Sequence, residues 1–401
     1  MAAAVQYFDA TMRQALPAEK LRDTWRAVVA QAGPFQRQLA TRAERVQGYD
    51  IVVVTCRFAR ATLDVRITFD ASLRIAGLYF APGKGTSEYT TPPYANPARF
   101  REQTVRVGSG TWVLPGSLTF PAGVGPVSAV VLVHGSGPQD RDEAIGPNKP
   151  FRDLAWGLAT SGIAVLRYDK RTQVYATQIA PLMDRFTVKE ETIDDALAAV
   201  ALLRQTPGIN PKKIFVLGHS LGGTVAPRMA SADPGIAGLI IMAGSTRPLE
   251  DLILEQTAYL FSLDGVLSDD ERAQLDRLRR QVARVKDPTL SPAVRASELP
   301  LGVPARYWLD LRGYDPAALA GRVGRPMPIV QGGRDYQVTT VDFEGWRKGL
   351  SAHRNVSFKL YPALNHLFME GEGKSTPVEY DRSGHVAGSV IEEIASWVRR
   401  Q

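Results

Sequence analysis

One serine in this chain stands in a setting made for nucleophilic chemistry. In the run VLGHSLGG, residues 216–223, Ser220 has Gly218 two positions before it and Gly222 two after. The preceding residues 214–217 form an apolar, strand-like run, and SLGGTVAPRMASA after it reads as a helix. A serine between the two must turn sharply, in a strained backbone that lifts Oγ clear of the sheet. Side chains at 218 and 222 would collide in that turn. Ser220 also opens a helix, whose N-terminus favours developing negative charge. The bare pattern G-x-S-x-G is common; its position between strand and helix is what makes it specific.

A serine nucleophile needs a base, an acid and donors for an oxyanion. The chain has five histidines, at 134, 219, 353, 366 and 385. His219 adjoins the serine, points elsewhere and reads as a packing residue. His134 ends a strand before GSG and orders that turn. His366, in YPALNHLF, directly follows the last predicted strand and can reach over the carboxyl ends of the sheet, so it is favoured over His385. Asp335, in PIVQGGRDYQV, is a turn residue just after an apolar strand, with Asp310 and Asp315 as weaker rivals for the acid that orients the imidazole. The order Ser220, Asp335, His366 is the one expected on a sheet of alternating strands and helices. The oxyanion hole needs two backbone N–H groups. One comes from Leu221, and the other from the loop HGSGPQDRDE, with Ser136 first and Gly137 next.

These groups can meet only if the chain builds the right scaffold. From about residue 105 to 401, short apolar runs alternate with helical ones: SAVVLVHG, FRDLAWGLATSG, IAVLRYDKR, VKEETIDDALAAVALLRQT, KIFVLGHS, AGLIIMAGS, MPIVQGGRD, VSFKLYPALNH and VIEEIASWVRR. This rhythm predicts an α/β fold, a mostly parallel sheet covered on both faces. WVLPGSLTFPAG suits an antiparallel edge strand. Residues 246–325 break the rhythm with mainly helical sequence. SDDERAQLDRLRRQVARVK opens on a capping box, Ser268 and Glu271, and carries Leu275, Leu278, Val282 and Val285 on one stripe. An insertion there is a helical cap over one end of the sheet, and Tyr259, Phe261, Tyr307 and Trp308 are its candidates to line an acyl pocket.

Residues 1–85 differ. Two helical patterns, AVQYFDATMRQAL and EKLRDTWRAVVAQAG, precede three alternating runs, DIVVVTCRFA, ATLDVRITFD and LRIAGLYFAP, which predict a small α+β domain with an antiparallel meander. The stretch 82–100, rich in Pro, Gly, Ser and Thr, reads as a linker or surface loop, with the linker placed at residues 86–104.

Composition narrows the function further. The 401 residues are 44% hydrophobic and 22% charged, with a formal charge of +7. The arginines are scattered, with no nucleic-acid-binding motif among them. No run is long enough to span a bilayer, and no signal peptide is visible, which points to a cytoplasmic protein. The single cysteine, Cys56, lies in an apolar strand and reads as a small buried hydrophobe. No metal-ligand cluster, Walker loop or dinucleotide fingerprint appears, so no metal or organic cofactor is implied.

The strings LVHGSGPQDRDE, GPNKPFRDLAWGLA, AVLRYDKRT, GHSLGG, QGGRD and LNHLF closely resemble bacterial carboxylesterases of the EstD type, within the α/β-hydrolases. The N-terminal block resembles a small domain of unknown function often fused to them. The resemblance implies hydrolysis of carboxylic esters, with Ser220, Asp335 and His366 at the family's triad positions. The expected substrate is a small ester or thioester. The same triad serves thioesterases, acyltransferases, macrocyclising enzymes and peptidases, and the scaffold also serves non-catalytic binding proteins. The N-terminal domain is a candidate homodimer contact.

Overall fold

The computed structural model describes residues 2–46, 49–83, 89–123 and 125–401, which include two sheets. The smaller is an antiparallel meander of β1 (Phe35–Val46), β2 (Tyr49–Phe58), β3 (Thr62–Phe69) and β4 (Ile75–Pro82), in sequence order. The three alternating runs form β2 to β4. The strand β1 carries no alternation to read, because its residues are mostly exposed and no buried face imposes a period of two. The helix Ala18–Ala32 ends at Gly33, which has φ 81°. Its Trp25 ring packs against Phe58 and Phe80 at 5.9 and 6.2 Å. The first helical pattern is split, and Asp9 caps its second piece by accepting from Met12 N at 2.6 Å. Cys56 is buried beside Phe58, and burial pushes its thiol pKa up.

The larger sheet holds β5 (Phe100–Val107), β6 (Leu114–Pro121), β7 (Val127–Val133), β8 (Ala164–Tyr168), β9 (Ile209–His219), β10 (Gly238–Met242), β11 (Met327–Gly332) and β12 (Val356–Tyr361). Their spatial order is β5-β6-β8-β7-β9-β10-β11-β12. The β5/β6 and β6/β8 pairs are antiparallel, and the remaining pairs are parallel. The antiparallel edge therefore has a further strand outside the predicted one, and β5 starts at Phe100, earlier than the expected boundary at 105. Alternate residues of β7 face opposite layers. Val131 and Val133 pack under the helices Asp194–Arg204, Leu221–Ala232 and Thr340–Leu350, while Val130 and Leu132 pack under Pro150–Thr160 and Gly388–Arg400. The chain runs from β7 to β8 on one side and returns across β7 to β9 on the other. This reversal opens a crevice at the carboxyl ends of β7 and β9.

Between β10 and β11 lie the helices Leu249–Phe261, Asp269–Lys286, Ala305–Leu311 and Pro316–Val323. The Ser268–Glu271 capping box forms, and Leu275, Leu278, Val282 and Val285 are all buried. The fourth helix is not part of a cap. Ala317 and Ala320 enter the core under the main sheet, so the insertion rejoins the scaffold before residue 325. The linker is anchored rather than loose: Tyr89 Oη donates to Asp153 at 2.6 Å and Tyr94 Oη to the Val386 carbonyl at 2.8 Å. The small domain rests on the insertion. Arg60 donates to Glu271 at 2.8 Å and lies over the Phe261 ring, which is buried with Ala30 and Leu275. No helix among the described residues is long and apolar enough to cross a membrane.

Candidate active site

Ser220 follows β9 and precedes the helix Leu221–Ala232, with φ 53° and ψ −120°. An L-residue avoids positive φ, and the strain costs about 1–3 kcal/mol. Neighbouring contacts enforce it. Ser220 N donates to the Met242 carbonyl at 2.9 Å, which ties the turn to the end of β10. A Cβ at Gly223 would lie 2.8 Å from the Gly218 carbonyl oxygen, and one at Gly222 2.7 Å from that of His134. The glycines thus let the elbow close on itself and against the end of β7. Glu143, Ala243 and Phe368 also have positive φ: Glu143 lies against His219, Ala243 follows the Met242 carbonyl that accepts from Ser220, and Phe368 is on the His366 loop. Such clustering is typical of functional sites.

The Asp335 carboxylate and the His366 ring meet at the same end of the sheet. His366 Nδ1 lies 2.6 Å from Asp335 Oδ2, and both side chains are buried. Asp335 Oδ2 also accepts from Gln331 Nε2 at 3.1 Å, and Oδ1 accepts from Gln337 N at 2.7 Å and Val338 N at 3.0 Å. The four contacts fix the orientation of the carboxyl group, and its hydrogen bond with Nδ1 favours the tautomer that leaves His366 Nε2 as an acceptor. Gly333 lets the turn after β11 approach the His366 loop, since a Cβ there would lie 2.8 Å from Pro362 Cα. Asn365 closes that loop, its Oδ1 accepting from Leu367 N and Met369 N at 3.0 and 3.1 Å.

The other histidines sort by their partners. His219 is more than packing: its Nε2 is 2.9 Å from the His366 carbonyl oxygen, so it joins the elbow to the His366 loop. Its Nδ1 lies 2.8 Å from Glu143 Oε2, off the line of a hydrogen bond. Burial lowers the His219 pKa, but the Glu143 charge and the polar contacts outweigh it and the net shift is upward. His134 Nε2 is 3.1 Å from the Asp140 carbonyl oxygen and orders that turn, while burial pushes its pKa down to about 4. His385 pairs with Asp153 at 3.1 Å. The rival acids have structural partners: Asp310 pairs with Arg228, and Asp315 caps a helix.

A cavity of about 520 Å³ opens at Ser220. Ser136, Gly137 and Leu221 form part of its wall, and Leu249, Leu252, Ile253, Tyr307 and Trp308 come from the insertion. Two of the four aromatic candidates thus line it. Tyr259 and Phe261 do not. The Tyr259 ring packs on Tyr336 at 5.2 Å with Oη bound to the Ser375 carbonyl, and Phe261 is spent on the contact with the small domain. On the Ser136 loop, the N–H of Gly137 is already taken by Glu191 Oε1 at 3.0 Å, so the alternative oxyanion donor is removed.

Sequence reasoning missed the segment after β8. Thr172, Ile179, Met183 and Phe186 line the cavity, from short helical turns that carry no sustained period. It also missed Glu191 and Lys170, both buried and paired at 2.5 Å. In VKEETIDD, Glu191 reads as one of several acids in a first helical turn. The structure instead places it in a π-helical turn, Lys189–Ile193, facing inward. Such turns recur at functional sites.

An eight-stranded, mostly parallel sheet with a strained serine elbow, and with a buried histidine–carboxylate pair at the same strand ends, defines an α/β-hydrolase. Residues 130–392 match the model described as the alpha/beta hydrolase family, and the chain belongs to that family. Residues 1–78 match a family described as protein of unknown function (DUF3887). The chain is 42% identical over 386 residues to Esterase EstD of Thermotoga maritima, covering 96% of this chain and 88% of that one. Among solved structures, it is similar to Est1E from Butyrivibrio proteoclasticus, with a TM-score of 0.48 and 15% identity over 74% of this chain and 99% of that one. It is also similar to dienelactone hydrolase from Anabaena variabilis, with a TM-score of 0.43 and 17% identity over 75% of this chain and 98% of that one.

Proposed function

We propose that this protein is a serine hydrolase of carboxylic esters. Ser220 Oγ attacks the ester carbonyl, and His366 Nε2 takes its proton. Asp335 holds the imidazole and stabilises its charged form. The N–H groups of Leu221 and Ser136 receive the negative charge that develops on the carbonyl oxygen. The imidazolium then returns the proton to the leaving alcohol, and water activated by His366 breaks the acyl-enzyme. The insertion wall of Leu249, Leu252, Ile253 and Trp308 suits an apolar acyl group of short to medium length, or an aromatic one.

The observation that carries this reading is the buried 2.6 Å pairing of His366 with Asp335, tied through the His366 carbonyl to His219, the residue before Ser220. The relation to an esterase over almost the whole chain supports the choice of esters. The experiment is Ser220→Ala, assayed on p-nitrophenyl esters of increasing chain length and with a fluorophosphonate probe. The variant is expected to keep its fold, lose turnover and escape labelling. Full activity in Ser220→Ala would end the proposal.

A further inference from the structure

The loop that supplies Ser136 is pinned by a buried ion pair that the reaction itself does not use. Lys170 Nζ donates to the Gly135 carbonyl oxygen at 2.6 Å and to Glu191 Oε1 at 2.5 Å. Glu191 Oε1 also accepts from Gly137 N at 3.0 Å, and Oε2 accepts from Tyr307 Oη at 2.6 Å. Around them, Gly135 N donates to Glu143 at 2.6 Å and the Gln139 carbonyl accepts from Lys170 N at 3.0 Å. Among the described residues, the N–H of Ser136 has no protein acceptor.

The Gly135 carbonyl and the Ser136 N–H belong to one planar trans peptide, and they point in opposite directions. A cation that holds the carbonyl oxygen from one side therefore aims the N–H at the other. The Lys170 charge also polarises that amide, which makes its N–H a stronger donor. Glu191 fixes Lys170 and, through Gly137, the next peptide. We propose that Lys170 and Glu191 are positioning residues for the oxyanion hole: together they set the direction and strength of the Ser136 N–H. Tyr307, on the insertion, completes the clamp from the cavity side.

The energetics argue for this role over simple stabilisation. Both charged side chains are more than nine-tenths buried. Replacing a buried ion pair by apolar side chains of similar volume is often neutral or stabilising, so such a pair is poorly explained by stability alone. Because the pair also satisfies the Gly135 carbonyl, the Gly137 N–H and the Tyr307 Oη, aim is read apart from stability as kcat per folded molecule.

The inference rests on the ester-hydrolase reading, and its test separates the two. The double variant K170M/E191L removes both charges together, beside Ser220→Ala as the reference. The expected result is a folded protein with a lowered Tm, because the Gly135 carbonyl, the Gly137 N–H and the Tyr307 Oη lose their partners, a kcat per folded molecule lower by about 10²-fold and a KM within about threefold of the parent. Affinity for a trifluoromethyl ketone, whose adduct carries the oxyanion, falls by the same factor as kcat/KM. If the double variant does not fold, E191Q decides, since it keeps the volume and an amide oxygen for Gly137 N–H; a loss of about tenfold in kcat at unchanged KM is expected. A folded variant with kcat within threefold of the parent overturns the inference, as does a loss that only tracks the amount of folded protein. A fully active Ser220→Ala would instead overturn the ester-hydrolase reading itself.

Discussion

The elbow makes a steric prediction at Gly222. An alanine Cβ there would lie 2.7 Å from the His134 carbonyl oxygen and closer still to that of Val133. Ordinary contact begins near 3.4 Å. The backbone at the end of β7 and the first turn of the helix Leu221–Ala232 must therefore part by at least about 0.7 Å, and neither is a flexible side chain that can swing away. Overpacking of this kind costs about 1–3 kcal/mol of stability. Its catalytic cost is larger in proportion. The two segments forced apart carry the N–H of Leu221 and the loop of Ser136, and a misplacement near 1 Å can cost about 10²-fold in rate. Gly222→Ala is expected to lower kcat on a p-nitrophenyl ester by about that factor, with the circular-dichroism spectrum retained. Gly265→Ala is the control. It has φ 77° with no atom within 4 Å of a Cβ, so it adds backbone strain without a clash and should leave kcat within twofold. A folded Gly222→Ala with parental kcat would refute the steric argument and the placement of the two donors on either side of that contact.

Two further perturbations follow from the packing and the charges. Burial, reinforced by Lys170 and opposed by Glu143, holds His134 at a pKa of about 4, below the ordinary value of 6.5. The unfolded chain takes up a proton there between these values and the folded chain does not, so stability present above pH 6.5 is lost as the pH falls toward 4. Urea unfolding at pH 7 and pH 4.5 should show His134→Gln losing about 2–3 kcal/mol less than the parent over that interval. The upward-shifted His219 is present in both proteins and cancels; equal losses would sink the assignment. Phe261→Ala removes a buried ring from the contact between the small domain and the insertion. It should lower stability by about 3–5 kcal/mol and raise KM, because the same helix presents Leu252 and Ile253 to the cavity. An unchanged KM in the folded variant would show that the two ends of that helix are uncoupled.

The parts of the site that were legible in the sequence are those that local sterics write into it. Gly218 and Gly222 are required by the turn at Ser220. Gly332 and Gly333 are required by the approach of Asp335 to the His366 loop, and the alternation of apolar strands and helices sets the sheet that joins them. What was not legible depends on contacts far apart in the chain. Tyr259 and Phe261 sit on a helix with both a cavity face and a small-domain face, and aromatic type alone does not say which face each takes. The strand β1 lacks a buried side and so lacks a pattern. The helix Pro316–Val323 reads as part of the insertion because its neighbours in sequence belong there, but Ala317 and Ala320 pack beneath the main sheet.

The charged residues show the same limit most sharply. In the sequence, Lys170 and Glu191 are polar residues at the end of a strand and the start of a helix, where solvent exposure is the ordinary expectation. Their burial follows from three separate events: the crossover that returns the chain over β7, the π-helical turn that rotates Glu191 inward, and the insertion that brings Tyr307 down on it. None of these leaves a local mark. The serine, histidine and aspartate can be found from motif and order because each is specified by its own turn. The groups that aim the peptide opposite Ser220 cannot, because they are specified only by one another. In a hydrolase of this kind the proposed reacting residues are therefore easier to read than the residues proposed to set the geometry of the oxyanion, and it is at Lys170 and Glu191 that substitution should lower kcat per folded molecule at unchanged KM.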